Sequence, residues 1–470
     1  MTSPKQYAGL ASDSREVRPG YLFAALPGTQ ADGRAFIPDA IARGAVAVLG
    51  RPEARADAEK LGVQFIADEN PRARLAHFAA AFFGKQPATI AAVTGTNGKT
   101  SVAVFLRQIW AQLGHPAASM GTIGVVTPKG GIALKHTTPD PVEIHRLLAQ
   151  MKTDGIDWLA LEASSHGIDQ HRLDGVAIAA AGFTNVTRDH LDYHADFAHY
   201  LAAKLRLFSE LVKKGGLAVV NADAAHAADF AAAAKARGLD VLTVGAKGEG
   251  LKLVARQPRA DGQALKIVYR NKTYDVSLPL AGDFQASNAL VAAGLAIGLG
   301  DAPEKVFAAL AHLNGAPGRL EKVAVTRAGA AVYVDYAHTP DALETVLKAI
   351  RPHVSGKLAV VFGCGGDRDK GKRPLMGEVA AEFADRVIVT DDNPRNENPA
   401  AIRKEILAAC PGAEEIGDRA AAIRTAIADL QSGDVLVIAG KGHERGQIVG
   451  NETRPFSDRD EAMKAVEGRA

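Results

Sequence analysis

A glycine-rich loop that carries a lysine and a threonine is the clearest chemical signal in the sequence. Residues 94–101 read TGTNGKTS, after an apolar run at 90–93 and before a helical pattern that starts near Thr100. In that setting, backbone amides at a helix N-terminus hold phosphates, a lysine offsets their charge and a hydroxyl reaches Mg²⁺. The usual pattern has a further glycine where this chain has Val93, so the loop is a shortened variant. We predict a nucleotide phosphate site with Lys99 as its main side chain, rather than a tight turn with a surface lysine.

Two further polar segments predict a divalent cation beside those phosphates. Glu162 follows the apolar run 158–161, and His190 closes the polar segment 184–190 after another apolar run. A carboxylate and an imidazole at neighbouring strand ends could ligate a cation together with the loop threonine. Taken alone, either residue could be a hydrogen-bonded structural residue. The neighbouring phosphate loop favours the metal interpretation.

Lys204 is an unusual residue because it falls on an apolar stripe. Phe197, Leu201, Phe208 and Leu211 form this stripe on a predicted helix over residues 197–211. One interpretation is a lysine that snorkels at the edge of the core. The other is a buried amine of lowered pKa, which could react with carbon dioxide to give a carbamate that ligates a second cation.

The last third of the chain predicts a doubly wound parallel sheet. Four valine- and isoleucine-rich runs alternate with helical patterns, at residues 331–336, 358–362, 386–390 and 434–439. A polar cluster follows each run, at residues 336–338, 363–368, 391–395 and 440–444. Ligands bind beyond the carboxyl ends of such strands, so these clusters predict a binding rim. In this rim Arg395 could pair with a carboxylate, or could be a solvated loop arginine.

Three domains are expected from the length of 470 residues, at roughly 150 residues per domain. Seams with proline and glycine at 84–87 and 314–318 predict boundaries that give domains 1–87, 88–316 and 317–470. The first reads as a small α/β domain, from a helix near 36–43 and a strand near 45–49. The second combines the phosphate loop and a mostly parallel sheet with an antiparallel region at 251–278. The third is the Rossmann-like doubly wound domain.

Composition excludes several classes of protein. The 47% of hydrophobic residues argue against disorder, and a formal charge of +2 argues against a broad nucleic-acid surface. No apolar run approaches the length of a membrane span, and the start of the sequence lacks the pattern of a signal peptide. Two cysteines, Cys364 and Cys410, fit a reducing compartment, and we interpret Cys364 as structural. A soluble cytoplasmic enzyme is expected.

Taken together, these motifs identify a family. The chain resembles the Mur ligases of peptidoglycan synthesis nearly from end to end. The segments that carry the resemblance are 13–15, 28–34, 94–100, 136–140, 162–172, 184–194, Lys204, 335–340, 391–395 and 440–444.

The resemblance implies a three-domain, ATP-dependent amide ligase of the cytoplasm. Such a ligase is a monomer that binds no nucleic acid and does not insert into a membrane. It implies Mg²⁺, carbon dioxide as a carbamate on Lys204, and two substrates, UDP-N-acetylmuramoyl-L-Ala-D-Glu and meso-2,6-diaminopimelate. The D-glutamyl carboxylate would be activated as an acyl phosphate and then joined to an amino group of diaminopimelate.

The resemblance also assigns residues to each task. The implied catalytic residues are Lys99, His190 and Lys204, and the implied metal ligands are Thr100, Glu162, His190 and Lys204. The implied ATP contacts are Gly95, Thr96, Asn97, Gly98, Lys99, Thr100, Asn288, Arg319, Asp335 and His338. The implied contacts of the UDP-linked substrate are Ser14, Gln30, Ala31, Thr137, Thr138, Ser165, Gln170 and Arg172. The implied contacts of diaminopimelate are Arg368, Asp392, Asn393, Pro394, Arg395, Gly440 and Glu444.

Other activities share part of these motifs. A relative that adds L-lysine is disfavoured by the segment 391–395, and a folylpolyglutamate synthetase by the N-terminal motifs. A phosphate-loop switch or binding ATPase without ligase chemistry gives no reason for the four polar clusters. A nicotinamide dehydrogenase would need a G-x-G-x-x-G spacing, which the glycines at 363–366 lack.

Overall fold

The computed structural model describes residues 4–28, 32–187, 189 and 193–468. The chain divides into two compact α/β units, one of residues 1–251 and 291–306 and the other of residues 252–290 and 307–470. The chain passes between them after residues 251, 290 and 306, and the second of these points lies within the helix Asp283–Gly298. No helix in the described part of the chain combines the length and apolarity that a membrane crossing requires.

The first unit begins with a small parallel sheet. Its strands, in spatial order, are Gly9–Ala11, Tyr21–Ala25, Ala45–Gly50 and Gln64–Ala67. The helices of this part are Ile37–Ala42, Arg55–Glu59 and Pro71–Phe83. The predicted small α/β element is confirmed, because the helix and strand expected near 36–49 are both present.

A larger sheet forms the centre of the first unit. Six mutually parallel strands are, in order, Asp240–Gly245, Leu217–Asn221, Ile178–Phe183, Thr89–Thr94, Trp158–Glu162 and Ala117–Gly121. The antiparallel strands Gly124–Thr127 and Gly130–Ile132 extend its edge. The helices of this part are Lys99–Gln112, Pro141–Thr153, Ser165–Asp169, Phe197–Arg206 and Ala227–Arg237, and a π-helical turn at Leu207–Leu211 continues the fourth.

The helix Lys99–Gln112 is held on this sheet by its apolar face. Phe105, Leu106, Ile109 and Trp110 are all fully buried. Burial of one such side chain stabilises the fold by about 1.5–3 kcal/mol. The helix therefore fixes the loop at its N-terminus against the sheet.

The second unit contains an antiparallel region and a doubly wound sheet. The antiparallel region consists of the strands Leu251–Arg259, Gly262–Tyr269 and Lys272–Leu278. The last two of these strands pair antiparallel, as predicted. The doubly wound sheet has the order Glu321–Val325, Ala331–Asp335, Val435–Ala439, Leu358–Phe362, Arg386–Val389 and Glu414–Glu415. Its helices are Pro340–Ile350, Lys372–Phe383, Pro399–Leu407, Arg419–Ala428 and Asp458–Glu467. The helix Pro303–Leu310 and a hairpin of Gly446–Val449 and Glu452–Pro455 complete the elements.

The four strands predicted in this sheet are parallel to one another, so the carboxyl ends meet at one edge. The first helix of this sheet begins at a cap that its residue types favour. The Thr339 hydroxyl accepts a hydrogen bond from the Ala342 amide at 3.3 Å, and Pro340 occupies the first helical position. The predicted rim of polar clusters is therefore present at this edge.

Candidate functional site

The phosphate loop depends on two glycines. Gly95 has φ +153°, and a Cβ there would lie 1.9 Å from Thr184 Oγ1. Gly98 has φ +88° and directly precedes the helix Lys99–Gln112. A larger residue at either position would strain or fill the loop. The loop thus leaves main-chain N–H groups at a helix N-terminus, which is a fit for phosphate groups.

Residues beyond the neighbouring strand hold this loop. Asn185 Oδ1 accepts from the Asn97 amide at 3.0 Å, and Asn185 Nδ2 donates to the Asn97 carbonyl at 3.2 Å. Thr184 Oγ1 donates to the same carbonyl at 2.6 Å. Asn185 is not among the predicted site residues, although its place just after a buried strand was a signal for it.

Two lysines converge on the same loop carbonyl. Lys99 Nζ donates to the carbonyl oxygens of Gly95 and Thr96, each at 2.8 Å. Lys204 Nζ donates to the Gly95 carbonyl at 2.8 Å. The loop therefore joins the helix that follows it to the helix Phe197–Arg206.

Lys204 is buried rather than placed at the edge of the core, since it is only 1% exposed. Burial lowers its pKa well below the ordinary value, and the charge of Lys99 lowers it further. Its ammonium lies 4.4 Å from the ring centroid of Tyr200, whose hydroxyl is 2.8 Å from Thr96 Oγ1. Burial raises the pKa of Tyr200 to about 12, so this hydroxyl stays protonated. The snorkelling interpretation of Lys204 is excluded by this burial.

Glu162 lies at the end of its strand beside the loop. Its carboxylate accepts from Thr100 Oγ1 at 3.0 Å, from the Thr122 amide at 2.8 Å and from Thr122 Oγ1 at 3.1 Å. A Cβ on Gly121 would lie 2.0 Å from Glu162 Oε1, so the carboxylate needs a glycine there. Hydroxyl and carboxylate oxygens are the donors that Mg²⁺ prefers, and this pair fits it.

The remaining predicted ligand, His190, lies outside the described residues. Among the residues that the structure describes, no three histidine, cysteine, aspartate or glutamate side chains form a metal-binding group. The predicted metal set thus rests on Thr100, Glu162 and Lys204 within the described chain.

The predicted contacts of the UDP-linked substrate form a second group near Glu162. Thr138 Oγ1 donates to the Glu162 carbonyl at 3.0 Å, and Thr137 Oγ1 lies 3.1 Å from Thr122 Oγ1. Arg172 donates to the Thr138 carbonyl and to Gln170 Oε1, each at 2.7 Å. These contacts connect the predicted substrate group to the strand that carries Glu162.

Two features of this group suit an anionic, hydrogen-bonding ligand. Burial and the charge of Arg72 both lower the pKa of Arg172, which nevertheless remains a cation. Ser165 is 2% exposed, and its hydroxyl has no hydrogen-bond partner among the described residues. A buried hydroxyl of this kind is completed by a ligand or by water.

The N-terminal contacts are only partly described. Ser14 is buried, and its hydrogen bond lowers the pKa of Asp39. Gln30 and Ala31 lie outside the described residues.

In the second unit, the predicted nucleotide contacts form one connected group. Asn288 donates to Gln285 Oε1 at 3.1 Å, and Gln285 donates to the Arg319 carbonyl at 3.0 Å. Asp335 accepts from the amides of Leu320 at 2.6 Å and Ala337 at 2.7 Å. Burial raises the pKa of Asp335 to about 6, although the charge of Arg319 opposes that rise.

His338 is the other predicted nucleotide contact in this unit. Its Nδ1 is 2.9 Å from the Tyr336 carbonyl, and its own carbonyl accepts from Lys372 at 2.6 Å. Desolvation by the surrounding chain lowers its pKa although the residue is exposed, and the charge of Lys372 adds to that effect. The imidazole is therefore neutral near pH 7.

The predicted diaminopimelate contacts meet at the strand ends. Arg395 has φ +50° and donates through Nη1 to the Gly366 carbonyl at 2.9 Å and the Asn393 carbonyl at 3.4 Å. Asn393 Nδ2 donates to Glu444 Oε2 at 3.0 Å. Pro394, which is buried, links the two polar residues. A guanidinium and a carboxylate therefore stand at one edge, as a ligand with both an acid and an amine requires.

Asp392 and Gly440 have a structural relation to this edge. A Cβ on Gly440 would lie 2.6 Å from Asp392 Oδ2, so the glycine admits the carboxyl group. Burial raises the pKa of Asp392, against the opposing charge of Arg419. Arg368, in contrast, is exposed and donates only to the adjacent Asp367 carbonyl in the described chain, at 3.0 Å.

Several buried charges are not among the predicted site residues. Lys441 is fully buried and contacts both Asn393 and Glu444. Arg373 lies in the charge-rich segment 367–373. Residues 367–371 of this segment are exposed, but Arg373 itself is fully buried. It donates a hydrogen bond to Glu397 at 2.9 Å. Glu397 lies 24 residues further along the chain, so no local sequence pattern indicates this pairing.

Sequence profiles of one family match three successive parts of the chain. The profile described as Mur ligase family, catalytic domain, matches residues 6–83. The Mur ligase middle domain matches residues 93–296, and the Mur ligase glutamate ligase domain matches residues 318–442.

Individual relatives match over nearly the whole length. A Bradyrhizobium diazoefficiens protein named UDP-N-acetylmuramoyl-L-alanyl-D-glutamate–2,6-diaminopimelate ligase is 58% identical, over 99% of this chain and 96% of the relative. A Caulobacter vibrioides protein of the same name is 56% identical, over 98% and 96%. A solved structure of a protein with that name has a TM-score of 0.75 at 35% identity, and covers 98% of this chain and 95% of its own. This chain therefore belongs to the Mur ligase family of ATP-dependent ligases.

Proposed function

We propose that the chain joins meso-2,6-diaminopimelate to the D-glutamyl carboxylate of UDP-N-acetylmuramoyl-L-Ala-D-Glu, with cleavage of ATP to ADP and phosphate. The observation that carries this proposal is the 58% identity, over 99% of the chain, to a relative named for that ligation. The convergence of Arg395, Asn393 and Glu444 at one sheet edge supports the choice of an amino acid with a second acid and amine.

The first step is phosphoryl transfer. An oxygen of the D-glutamyl carboxylate attacks the γ-phosphorus of ATP, the bond from that phosphorus to the β-phosphate oxygen breaks, and ADP leaves. Lys99 and the amides of Gly95–Thr100 would offset charge on the transferring group. The product is an acyl phosphate.

The second step forms the amide. An amino nitrogen of diaminopimelate attacks the acyl carbon, the bond to the phosphate oxygen breaks, and inorganic phosphate leaves as the amine loses a proton. Arg395, Asn393 and Glu444 would orient this amino acid, with Asp392, Pro394, Gly440 and Arg368 as further predicted contacts.

Thr100 and Glu162 would hold Mg²⁺, together with the predicted ligand His190. A bound Mg²⁺ supplies Lewis-acid stabilisation of phosphate oxygens. Lys204 would add an oxygen ligand as a carbamate, formed when its neutral amine attacks the carbon of CO₂ and loses a proton to solvent. The buried position of Lys204 beside Lys99 supports this modification.

The other assignments stay predictions. Ser14, Gln30, Ala31, Thr137, Thr138, Ser165, Gln170 and Arg172 would bind the UDP-linked substrate, and Asn288, Arg319, Asp335 and His338 the nucleotide. The boundaries 1–87, 88–316 and 317–470, the monomeric state and the cytoplasmic location are proposed in the same way.

The test is an acceptor-dependence assay. The enzyme receives ATP, Mg²⁺ and UDP-N-acetylmuramoyl-L-Ala-D-Glu, and phosphate release is measured with meso-diaminopimelate, with L-lysine and without an amino acid. We expect release and an amide product only with meso-diaminopimelate. Comparable turnover with L-lysine would contradict the acceptor, and release that ignores every acceptor would favour a simple ATPase.

A further inference from the structure

A buried lysine contacts both Asn393 and Glu444 at the carboxyl ends of the strands of the doubly wound sheet. The Lys441 side chain is fully buried, whereas that of Glu444 is 34% exposed. Lys441 Nζ donates to Asn393 Oδ1 and to Glu444 Oε2, each at 2.9 Å. No residue role assigned above explains a lysine in this position.

Together the three side chains form a closed triangle. Asn393 Nδ2 donates to the same Glu444 Oε2 at 3.0 Å, and Asn393 Oδ1 also accepts from the Ile448 amide at 2.9 Å. The amide orientation of Asn393 is therefore fixed by two donors on its oxygen. Removal of Lys441 would take away one of them and one of the two donors to Glu444.

This triangle leaves one carboxylate oxygen for a ligand. Glu444 Oε2 accepts from both Lys441 and Asn393, while Oε1 makes no hydrogen bond within the described chain. Asn393 also accepts from Arg395 through its main-chain carbonyl, at 3.4 Å. Asn393 thus contacts both the carboxylate of Glu444 and the guanidinium of Arg395.

We propose that Lys441 is a positioning residue that holds Glu444 as an oriented anion, so that Glu444 Oε1 receives an ammonium group of the incoming amino acid. This inference rests on the proposed function, and it adds a residue that acts through Glu444 rather than on the substrate. A buried ammonium is costly unless it is paired, and Glu444 and Asn393 supply its partners here.

The charges that surround Glu444 agree with this role. Burial raises the pKa of its carboxyl, but the charge and hydrogen bond of Lys441, the hydrogen bond of Asn393 and the charge of His443 together lower it. The other titratable groups that face it are Asp392, Arg419 and Tyr336. Without Lys441, the carboxyl should accept a proton at higher pH.

The first test compares Lys441→Met with wild type. We expect the KM for meso-diaminopimelate to rise about 10–100-fold, the size typical of lost supporting contacts in a binding site. The KM for ATP should stay within about twofold. The acidic limb of kcat/KM for diaminopimelate should move to higher pH, a change that a purely structural role would not produce. Lys348→Met is the matched control, since Lys348 pairs with Glu344 on an exposed helix surface.

A double-mutant cycle keeps the proposal testable if the unpaired Glu444 destabilises the single variant. Glu444→Gln and Lys441→Met combined remove both charges, so the double variant should fold. If Lys441 acts through Glu444, the double variant should raise the KM for diaminopimelate no further than Glu444→Gln alone.

Fully additive losses in the cycle, or a folded Lys441→Met enzyme with wild-type KM and an unmoved acidic limb, would overturn the positioning role. Failure of the proposed function is distinguishable from these results, because wild type itself would then show no diaminopimelate-dependent release of phosphate.

Discussion

Lys99 and Lys204 donate hydrogen bonds to one oxygen atom, the carbonyl of Gly95, each at 2.8 Å. Two cations that share one acceptor repel each other, and the more buried one loses its proton more easily. Burial lowers the pKa of Lys204 and the charge of Lys99 lowers it further. Since a neutral amine is the form that attacks CO₂, the charge of Lys99 in the phosphate loop favours the form of Lys204 that the proposed carbamate requires.

Lys204→Ala should lower ligase turnover at least about 100-fold, because the proposed carbamate ligand of the cation that stabilises charge at the phosphates would be lost. A small added carboxylate, such as formate or acetate, should restore part of the activity because it can replace the carbamate oxygens. The measurement is diaminopimelate-dependent phosphate release with and without the carboxylate.

Lys214→Ala is the matched control, because Lys214 is an exposed lysine that follows the helix of Lys204 and its π-helical turn. We expect it to keep wild-type turnover and to show no response to carboxylates. A Lys204→Ala enzyme with near wild-type turnover would contradict the carbamate.

Arg395→Ala should remove most of the preference for meso-diaminopimelate over L-lysine. A site built to bind a carboxylate can discriminate against an amino acid that lacks it by about 10⁴-fold. Alanine has the same backbone cost as arginine at φ +50°, so the variant isolates the guanidinium. The ratio of kcat/KM for the two amino acids is the measurement.

The exposed Arg327 provides the control for charge, since Arg327→Ala should leave that ratio unchanged. If Arg395→Ala retained the wild-type ratio, the assignment of Arg395 to the carboxylate would be wrong.

Sequence patterns predicted the doubly wound sheet well because its strands are buried on both faces. The strand Leu358–Phe362 has the predicted limits, and the helix Pro340–Ile350 begins at a threonine cap followed by proline, a local signal that the sequence carries. The phosphate loop was predictable for a related reason, since the glycines, Lys99 and Thr100 are contiguous. Local signals of this kind do not depend on the rest of the fold.

The buried charges could not be predicted because their partners are distant in sequence. Lys204 on an apolar stripe fitted both a core edge and a buried site, and the partner that decides, the Gly95 carbonyl, lies 109 residues away. Lys441 stands in a glycine-rich loop, where a lysine is usually solvated. Its partner Asn393 lies 48 residues away, so only the fold brings them together.

Asp335 should make folding stability depend on pH. Its pKa in the folded chain is raised from 3.8 to about 6, so the folded state binds the proton more tightly than the unfolded state. The stabilisation from this proton is complete below the unfolded pKa and is lost as pH rises through about 6. The shift corresponds to about 3 kcal/mol. Denaturant unfolding between about pH 4 and about pH 7 should show this loss in wild type relative to Asp335→Asn.

Asp275→Asn is the comparison for an exposed carboxyl, since the Asp275 side chain is 80% exposed. The difference in the free energy of unfolding between Asp275→Asn and wild type should not change over the same pH range. Equal pH dependence in wild type and Asp335→Asn would show that Asp335 does not carry the effect.

The buried ion pair of Arg419 and Asp458 should be the costliest charge to break in the second unit. Both side chains are completely buried, with the closest nitrogen and oxygen 2.7 Å apart, and Arg419 also donates to the Ala439 carbonyl at 2.9 Å. Asp458→Ala leaves an uncompensated buried cation, so we expect a loss of about 3–5 kcal/mol in the free energy of unfolding.

Glu59→Ala removes an exposed partner of Arg55 and should cost less than about 1 kcal/mol. Urea unfolding of both variants measures the difference, and comparable small losses would mean that solvent reaches Arg419. Because Arg419 holds the end of the strand that precedes Gly440, a large loss would also connect the stability of this unit to the edge that carries Asn393 and Glu444.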